Sequence, residues 1–473
     1  MQTVHVVILV AYLLLMVVIG AFFSRRRHVQ TGDDFMFAGK SLPRPVLIGT
    51  LLATWVGSGT IIGGANFAYT YGPLASIFFL AGTPVGIIVL YLLASKVQKA
   101  SKYTVPELLE ARFGLTARLV AAAITLLAYT GITAYQFTGG GYIISLITPL
   151  SDKEGAVLVA VLVTFLAIGG GLFSVAWTDF ISAVIIVSGL LIALPMVIGG
   201  DIGGLGEYWS QLPETSTSLT GGLSALELVG YFLPLFLLIL ADQNMYQRLA
   251  AAKDSGTAKS STAGFFFSSF LVTVPVALLG SAAVILMPRI EPDTAILSLA
   301  SELYLPVVIG GLLLAGALAF IVTTGSSFLL SGAGNIVYDG VRRFSKEDLG
   351  DKQRLRIHRL SILGIAVVAY ILGRFFPVVL ELQLYSYTVY GVAIAPAVLA
   401  VLLWPRATKV GALSSMLLGA VVTIVWEQLG SPGGVNSVLV SLPVSLVALV
   451  VGSLLSPPPT KPGPIEAPAS REA

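Results

Sequence analysis

The chain contains no cysteine and only three histidines, and just 11% of its 473 residues are Asp, Glu, Lys or Arg. Without cysteine, neither a disulfide nor a thiolate metal site can form. His5, His28 and His358 all fall at the ends of apolar runs or in loops, which argues against a buried histidine-ligated metal centre. Soluble domains carry about 25% charged residues, so this chain has less than half the charge needed to cover a water-facing surface. The formal net charge of +3 is spread over loops and forms no basic patch, which excludes a nucleic-acid binder.

What the chain has instead is apolar length. Hydrophobic residues make up 56% of it, and the mean hydropathy is +0.91. Apolar runs recur from 4–23 to 436–456, and each is close to the ~20 residues that cross a ~30 Å hydrocarbon core. They predict an all-α polytopic membrane protein with about thirteen transmembrane helices. The first run has no basic flank before it and Arg25, Arg26 and Arg27 after it. That polarity is opposite to a secretory signal and places the N-terminus outside. Loops that should then be external, near 149–155, 200–227, 288–305, 374–378 and 429–435, hold only Lys153, Arg289 and Arg374 of the 27 basic residues. The other 24 fall on the opposite side, and one missed or invented span would destroy this asymmetry. The C-terminus is accordingly cytoplasmic, in a plasma-membrane (bacterial inner-membrane) protein.

Six regions follow. Residues 1–44 form an extra N-terminal helix and a cytoplasmic loop; 45–199 and 228–404 form two five-helix groups; 200–227 is an external loop. Residues 405–456 form two extra C-terminal helices, and 457–473 form a Pro-rich tail expected to be disordered. The stretch 96–116 mixes basic residues with an amphipathic pattern and predicts a short cytoplasmic surface helix.

Two spans are interrupted at mid-membrane. The first, Leu51 to Gly72, carries Gly57, Gly59, Gly63 and Gly64 among Thr54, Ser58 and Thr60; the second, Gly230 to Arg248, carries Pro234 and then Asp242-Gln243-Asn244. An Asp at the centre of a span costs ~2.5–3.5 kcal/mol, so it should face the protein interior. The two breaks open the two five-helix groups, which enter the membrane from opposite faces. An inverted repeat with paired discontinuous helices points to the midplane site of a secondary transporter. The alternative, glycines that serve helix packing, stays open for Gly63 and Gly64. A third feature is the hydroxyl run Thr323, Thr324, Ser326 and Ser327. With carbonyls freed by an unwound helix, hydroxyls suit a hard cation such as sodium; equally, membrane hydroxyls bond back to their own helix.

Five strings occur in order: ATWVGSG at 53–59, YTVPELLEARFG at 103–114, GGLFSVAWTD at 170–179, DQNMYQR at 242–248 and TTGSSFLLSGAGNIVYDG at 323–340. With them the chain resembles the sodium:solute symporter family nearly throughout, to about residue 405. The resemblance implies a LeuT-like ten-helix core of two inverted five-helix repeats plus flanking helices. It implies sodium as coupling ion, no cofactor, and small-molecule solute and lipid bilayer as the partners. It places sodium on the carbonyls of Ala53, Val56 and Phe320 and the hydroxyls of Thr323 and Thr324, with Asp179 on the intracellular sodium path or capping a helix end.

Solute positions implied by the resemblance are Trp55, Ser58, Gly59, Thr60, Asp242 and Gln243, with Tyr135, Gln136, Tyr387 and Tyr390 as further lining candidates for which plain helix packing is the alternative. Sugar-transporting members have polar side chains where Gly59 and Thr60 stand, which puts a polyol in doubt. An indole face at Trp55 beside Asp242 would suit an ammonium group by cation–π attraction and charge pairing; an amine, an amino acid or another small polar metabolite all remain open. Proton coupling through Asp242 and an uncoupled facilitator are the alternatives to sodium symport. An intramembrane enzyme is disfavoured, because Asp179, Asp242, Glu381 and Glu427 lie on widely separated segments with no histidine to join them.

Overall fold

The computed structural model describes residues 2–23, 37–100, 104–169, 172–301, 304–345 and 350–458. Arg25 to Arg27, His28, Tyr103, Gly170, Gly171 and most of the Pro-rich tail lie outside the described residues.

The described chain is helical. An N-terminal helix α1 (Gln2–Phe23) precedes α2 (Arg44–Trp55) and α3 (Gly64–Tyr71), then α4 (Pro73–Ala100), α5 (Val105–Phe113), α6 (Leu115–Ile147), α7 (Asp152–Gly169) and α8 (Leu172–Pro195). After α9 (Leu205–Gln211) come α10 (Ala225–Ala241), α11 (Gln243–Ala250), α12 (Ser255–Leu286) and α13 (Ala295–Ser301). The chain ends with α14 (Val307–Gly334), α15 (Asp351–Gly373), α16 (Val379–Leu403), α17 (Lys409–Gln428) and α18 (Ser437–Leu455).

Among the described residues ten helices are long and apolar enough to cross a membrane, or eleven with the bent pair α2 and α3 taken as one span. The expected thirteen are not all reached. The apolar part of α1 is short, Thr3–Ile19, and α7 begins with Asp152, Lys153 and Glu154, three charges that hydrocarbon does not accommodate. The chain is a multi-pass membrane protein.

Burial separates the spans into a centre and a rim. The apolar stretch of α16 is 89% buried and that of α14 78%, against 28% for α15 and for α18. Leu360, Leu363, Val367 and Ile371 are exposed along α15, spaced three or four apart. A water-facing helix would carry charge there; a lipid-facing one does not need it. Helix α14 packs on α6 and α8, α2 packs on α8, α4 lies against α10 and α12, and α16 against α10 and α6.

Helix α5 is amphipathic, with Ala111 exposed on one side and its apolar side turned into the protein. Val105, Pro106, Leu108, Leu109 and Phe113 are buried, and Thr104 caps it by accepting the Glu107 amide at 3.1 Å. The turn from α5 to α6 passes through Gly114 at φ +80°, and that from α3 to α4 through Gly72 at φ +91°, conformations that glycine adopts without steric cost.

Candidate ion- and solute-binding site

The break between α2 and α3 bends the chain by 62°. Helix α2 ends because Val56 is extended (φ −80°, ψ 101°) and its amide closes the last turn on Leu52 at 2.9 Å. The next turn starts afresh, with the amides of Thr60 and Ile61 both on Gly57 O, at 3.2 and 3.1 Å. The carbonyls of Ala53 and Val56 are therefore left outside the helical ladder. Both meet the same side chain on α14: Thr324 Oγ1 donates to Ala53 O at 3.0 Å and to Val56 O at 3.2 Å. Its neighbour Thr323 donates to Phe320 O at 3.2 Å. Of the two hydroxyls, only Thr323 bonds back along its own helix; Thr324 reaches across to α2.

One turn from these groups, toward the end of the molecule that carries α5, sits Asp179 of α8. Its Oδ2 accepts from Thr50 Oγ1 at 2.6 Å and from Arg248 Nη2 at 3.2 Å, with Asp179 and Arg248 each 1% exposed. Sequence reasoning assigned Asp179 and missed Arg248, although the latter closes the DQNMYQR string. An arginine in a span needs an interior anion, and the fold supplies Asp179 from another helix.

Around the unwound stretch the remaining candidates fall into two groups. Ser58 N and Ser58 Oγ both lie on Gln136 Oε1, at 2.9 and 3.0 Å. This fixes the Gln136 amide and leaves its Nε2 buried without a partner among the described residues. Gly57 packs on that amide: a Cβ there would lie 2.6 Å from Gln136 Nε2. Gly59 and Gly63 pack in the same way on Gln383 of α16, with a Cβ at Gly59 2.6 Å from Gln383 Cδ. Gln383 is 1% exposed, and its Oε1 also lacks a partner among the described residues. Gln383 was not anticipated; a lone amide in an apolar span was the available signal. Tyr135 and Tyr387 join through their hydroxyls at 3.0 Å, so α6 and α16 are linked close to the two amides, Tyr135 next to Gln136 and Tyr387 one turn after Gln383. Thr60 Oγ1 donates to Trp55 O at 3.1 Å, and the Trp55 ring stands edge-on to Phe265 at 6.2 Å between centroids.

Asp242, Gln243 and Tyr390 belong to the second break. Pro234 lies inside α10 without interrupting it, and the interruption is Asp242 alone (φ −61°, ψ 117°), within a span that runs on for 26 residues. Asp242 Oδ1 caps α11 by accepting the Asn244 amide at 3.0 Å, and also accepts Tyr129 Oη–H at 2.8 Å and Asn244 Nδ2–H at 3.3 Å. The orphaned carbonyls of α10 are met by tyrosines: Tyr390 donates to Ala241 O at 2.7 Å, and Tyr246 to Leu240 O at 2.6 Å. Gln243 faces α5 and α14, accepting Val105 N–H at 3.1 Å and donating to Asn335 Oδ1 at 2.9 Å.

The two ends are closed by different clusters. Beyond the spans, Asp293 accepts Asn66 Nδ2–H of α3 at 2.7 Å and the Val379 amide of α16 at 2.9 Å. Burial pushes its carboxyl above the ordinary carboxylate range. At the α5 end, Asp339 accepts from Arg118 Nε at 2.6 Å and Thr104 Oγ1 at 2.9 Å, while Arg118 also pairs with Glu110.

The chain is similar to the high-affinity proline transporter PutP of Bacillus subtilis (strain 168), with 26% identity over 94% of this chain and 97% of that protein. It is likewise similar to the sodium/proline symporter of Staphylococcus aureus (strain USA300), with 25% identity over 97% and 93% of the two chains. Among solved structures, the substrate-bound outward-open state of a Na+-coupled sialic acid symporter shares its fold, with a TM-score of 0.82, 18% identity, and coverage of 96% of this chain and 98% of that one. The model of the sodium:solute symporter family matches residues 35–419. A match over that length, on an all-helical fold whose broken span α2–α3 meets Thr324 of α14, shows that this chain belongs to the sodium:solute symporter family.

Proposed function

We propose that this sodium-coupled transporter imports a small zwitterionic solute, an amino acid of about the size of proline, and holds it between α6, α16 and the unwound stretch after Trp55. The observation that carries the reading is the pair of buried, unpartnered amide atoms: Gln136 Nε2, a donor, and Gln383 Oε1, an acceptor. A carboxylate would take the donor together with the positive end of the half-helix that starts at Gly59. The amino group would take the acceptor. Asp242 is engaged as a helix cap, which weighs against a plain amine paired to it. Two relatives named above transport proline, which supports testing proline first.

Sodium binds the carbonyls of Ala53, Val56 and Phe320 and the hydroxyls of Thr323 and Thr324, tying α14 to α2. A ligand shifts a conformational equilibrium only through its differential affinity for the two states, so an ion that bridges two helices favours the form in which they stay together. That form accepts solute from outside; closing the outer end and opening the inner one releases both. One sodium moving down a 100 mV potential supplies ~2.3 kcal/mol before its concentration gradient is counted. The chain would span a plasma membrane thirteen times, through α1, α2 with α3, α4, α6, α7, α8, α10 with α11, α12 and α14 to α18. Residues 45–199 and 228–404 would be the inverted repeats, with the N-terminus outside and the α5 end in the cytoplasm.

The test is a melting-temperature screen of purified protein against proline, other amino acids, amines, sugars and carboxylates, with and without sodium. Stabilisation by proline or a close relative only when sodium is present is the expected result; stabilisation by a sugar or a plain amine instead would overturn the solute assignment. In uptake assays, Gln136→Leu and Gln383→Leu should each raise the solute KM by about 10–100-fold, the worth of one charge-assisted hydrogen bond, with sodium dependence kept.

A further inference from the structure

Arg248 is the largest fully buried side chain of the described residues, and three of its four hydrogen-bond partners, Thr50, Asp179 and Ser327, lie beside the proposed ion site. From α11, its Nε donates to Thr50 Oγ1 at 2.9 Å, and its Nη1 to Asn244 O of its own helix at 3.2 Å. Its Nη2 donates to Asp179 Oδ2 at 3.2 Å and to Ser327 Oγ at 3.0 Å. Thr50 is one turn before Ala53 on α2, and Ser327 one turn after Thr323 and Thr324 on α14. The guanidinium thus occupies the level directly below the ion-binding oxygens, about one helical pitch of ~5.4 Å toward the α5 end. A permanent cation there repels a second one above it, because charges this close interact strongly away from water. Between the two stands one carboxylate. Asp179 gives Oδ2 to Arg248 and Thr50, while its Oδ1 is buried with no hydrogen-bond partner among the described residues.

We propose that Arg248 is a tethered cation that holds the inner exit of the sodium site. While it sits on Asp179, it denies sodium the carboxylate next to the site; when α11 moves away, that carboxylate is freed and draws the ion down and out. Inner opening and sodium release are thereby one event. Arg248 binds neither ion nor solute: it is a positioning residue that acts through Asp179. The inference rests on the sodium ligands proposed above.

The experiment uses the full chain reconstituted in liposomes, with proline or whichever solute the screen identifies. Half-saturating sodium for binding is measured, and net solute uptake is compared with solute exchange at high sodium on both sides. Arg248→Met should lower half-saturating sodium at least about tenfold, since a repulsive charge is gone and Asp179 stands free. Net uptake, which needs sodium release, should fall at least about tenfold while exchange stays within about twofold. Arg248→Lys, which keeps a cation, should restore half-saturating sodium to within about threefold of the parent. Unchanged half-saturating sodium in Arg248→Met overturns the proposal, as does a parallel loss of net uptake and exchange. If Arg248→Met does not fold because Asp179 is left unpaired, the double variant Arg248→Met/Asp179→Asn removes both charges. It should still bind sodium yet show net uptake selectively slowed relative to exchange; an unchanged ratio overturns the proposal. Half-saturating sodium left at the parental value in Thr324→Ala would instead remove the ion site itself, so the two failures are distinguishable.

Discussion

Replacing Thr324 by alanine is expected to weaken sodium binding by about 10–100-fold, the equivalent of one lost oxygen ligand to a charged group, while the protein still folds. The geometry behind this is specific. Two carbonyls in the last turn of α2 and at the break have no helical amide to bond, and Thr324 Oγ1 lies 3.0 and 3.2 Å from them. A cation entering here meets all three oxygens at once, and among the described residues no other side chain donates to both carbonyls. Alanine leaves α14 helical, because its helix propensity exceeds that of threonine. Thr324→Ser keeps the hydroxyl and should retain most of the affinity. Thr323→Ala should cost less, because the Thr323 hydroxyl bonds back to Phe320 O on its own helix. The measurement is half-saturating sodium for solute uptake, paired with the sodium-induced rise in melting temperature of the purified variant. A Thr324→Ala protein with parental values for both would remove the ion assignment.

The second large effect concerns stability. Asp339→Ala should destabilise the fold by about 3–5 kcal/mol, because it strips a buried arginine of its main counter-charge. The Asp339 side chain is fully buried and that of Arg118 is 10% exposed. Glu110, the other carboxylate on Arg118, is 23% exposed and cannot replace it from the interior side. The cluster also fixes α5: Thr104 caps that helix, donates to Asp339 Oδ1 at 2.9 Å and so pins the start of α5 to the helical turn Asn335–Val341 that follows α14. Losing the carboxylate should loosen the α5 end as well as lower the melting temperature. Removing both charges, in Arg118→Met/Asp339→Ala, should recover much of the loss, since an apolar pair often matches a buried ion pair. A single variant as stable as the parent would mean that this cluster does not hold α5.

The helix break and the hydroxyls of the proposed ion site were legible in the sequence because they depend on local chemistry. Glycines and hydroxyls after Ala53 foretell a broken helix, and adjacent threonines in an apolar span foretell oxygen ligands. Even so, both Thr323 and Thr324 could have bonded back to their own helix, and only the crossing of α2 over α14 separates them. Asp242 shows the opposite case. A lone carboxylate in a span reads as a ligand-binding group; in the fold, its backbone is the break, and its Oδ1 caps the helix that follows. No pattern of spacing distinguishes a cap from an anchor when the residues that complete it, Tyr129 on α6 and Tyr390 on α16, are more than a hundred positions away. Arg248, Gln383 and Arg118 were passed over for the same reason, since each gains its meaning from a partner on another helix. The span count also shows where hydropathy stops: three charges opening α7 deny it the length of apolar sequence that its neighbours have, while its packing on α6 is a property of the fold and not of its composition.

The most direct measurement of sodium-coupled import is solute accumulation in proteoliposomes that hold the purified chain, under an imposed sodium gradient, with a proton gradient as the comparison. Proline, or the solute that the melting screen selects, should rise above its outside concentration only when sodium is higher outside, and collapse of the sodium gradient should release it. Accumulation of equal size driven by a pH gradient in sodium-free buffer, or entry that stops at the outside concentration whatever the sodium gradient, would contradict the coupling.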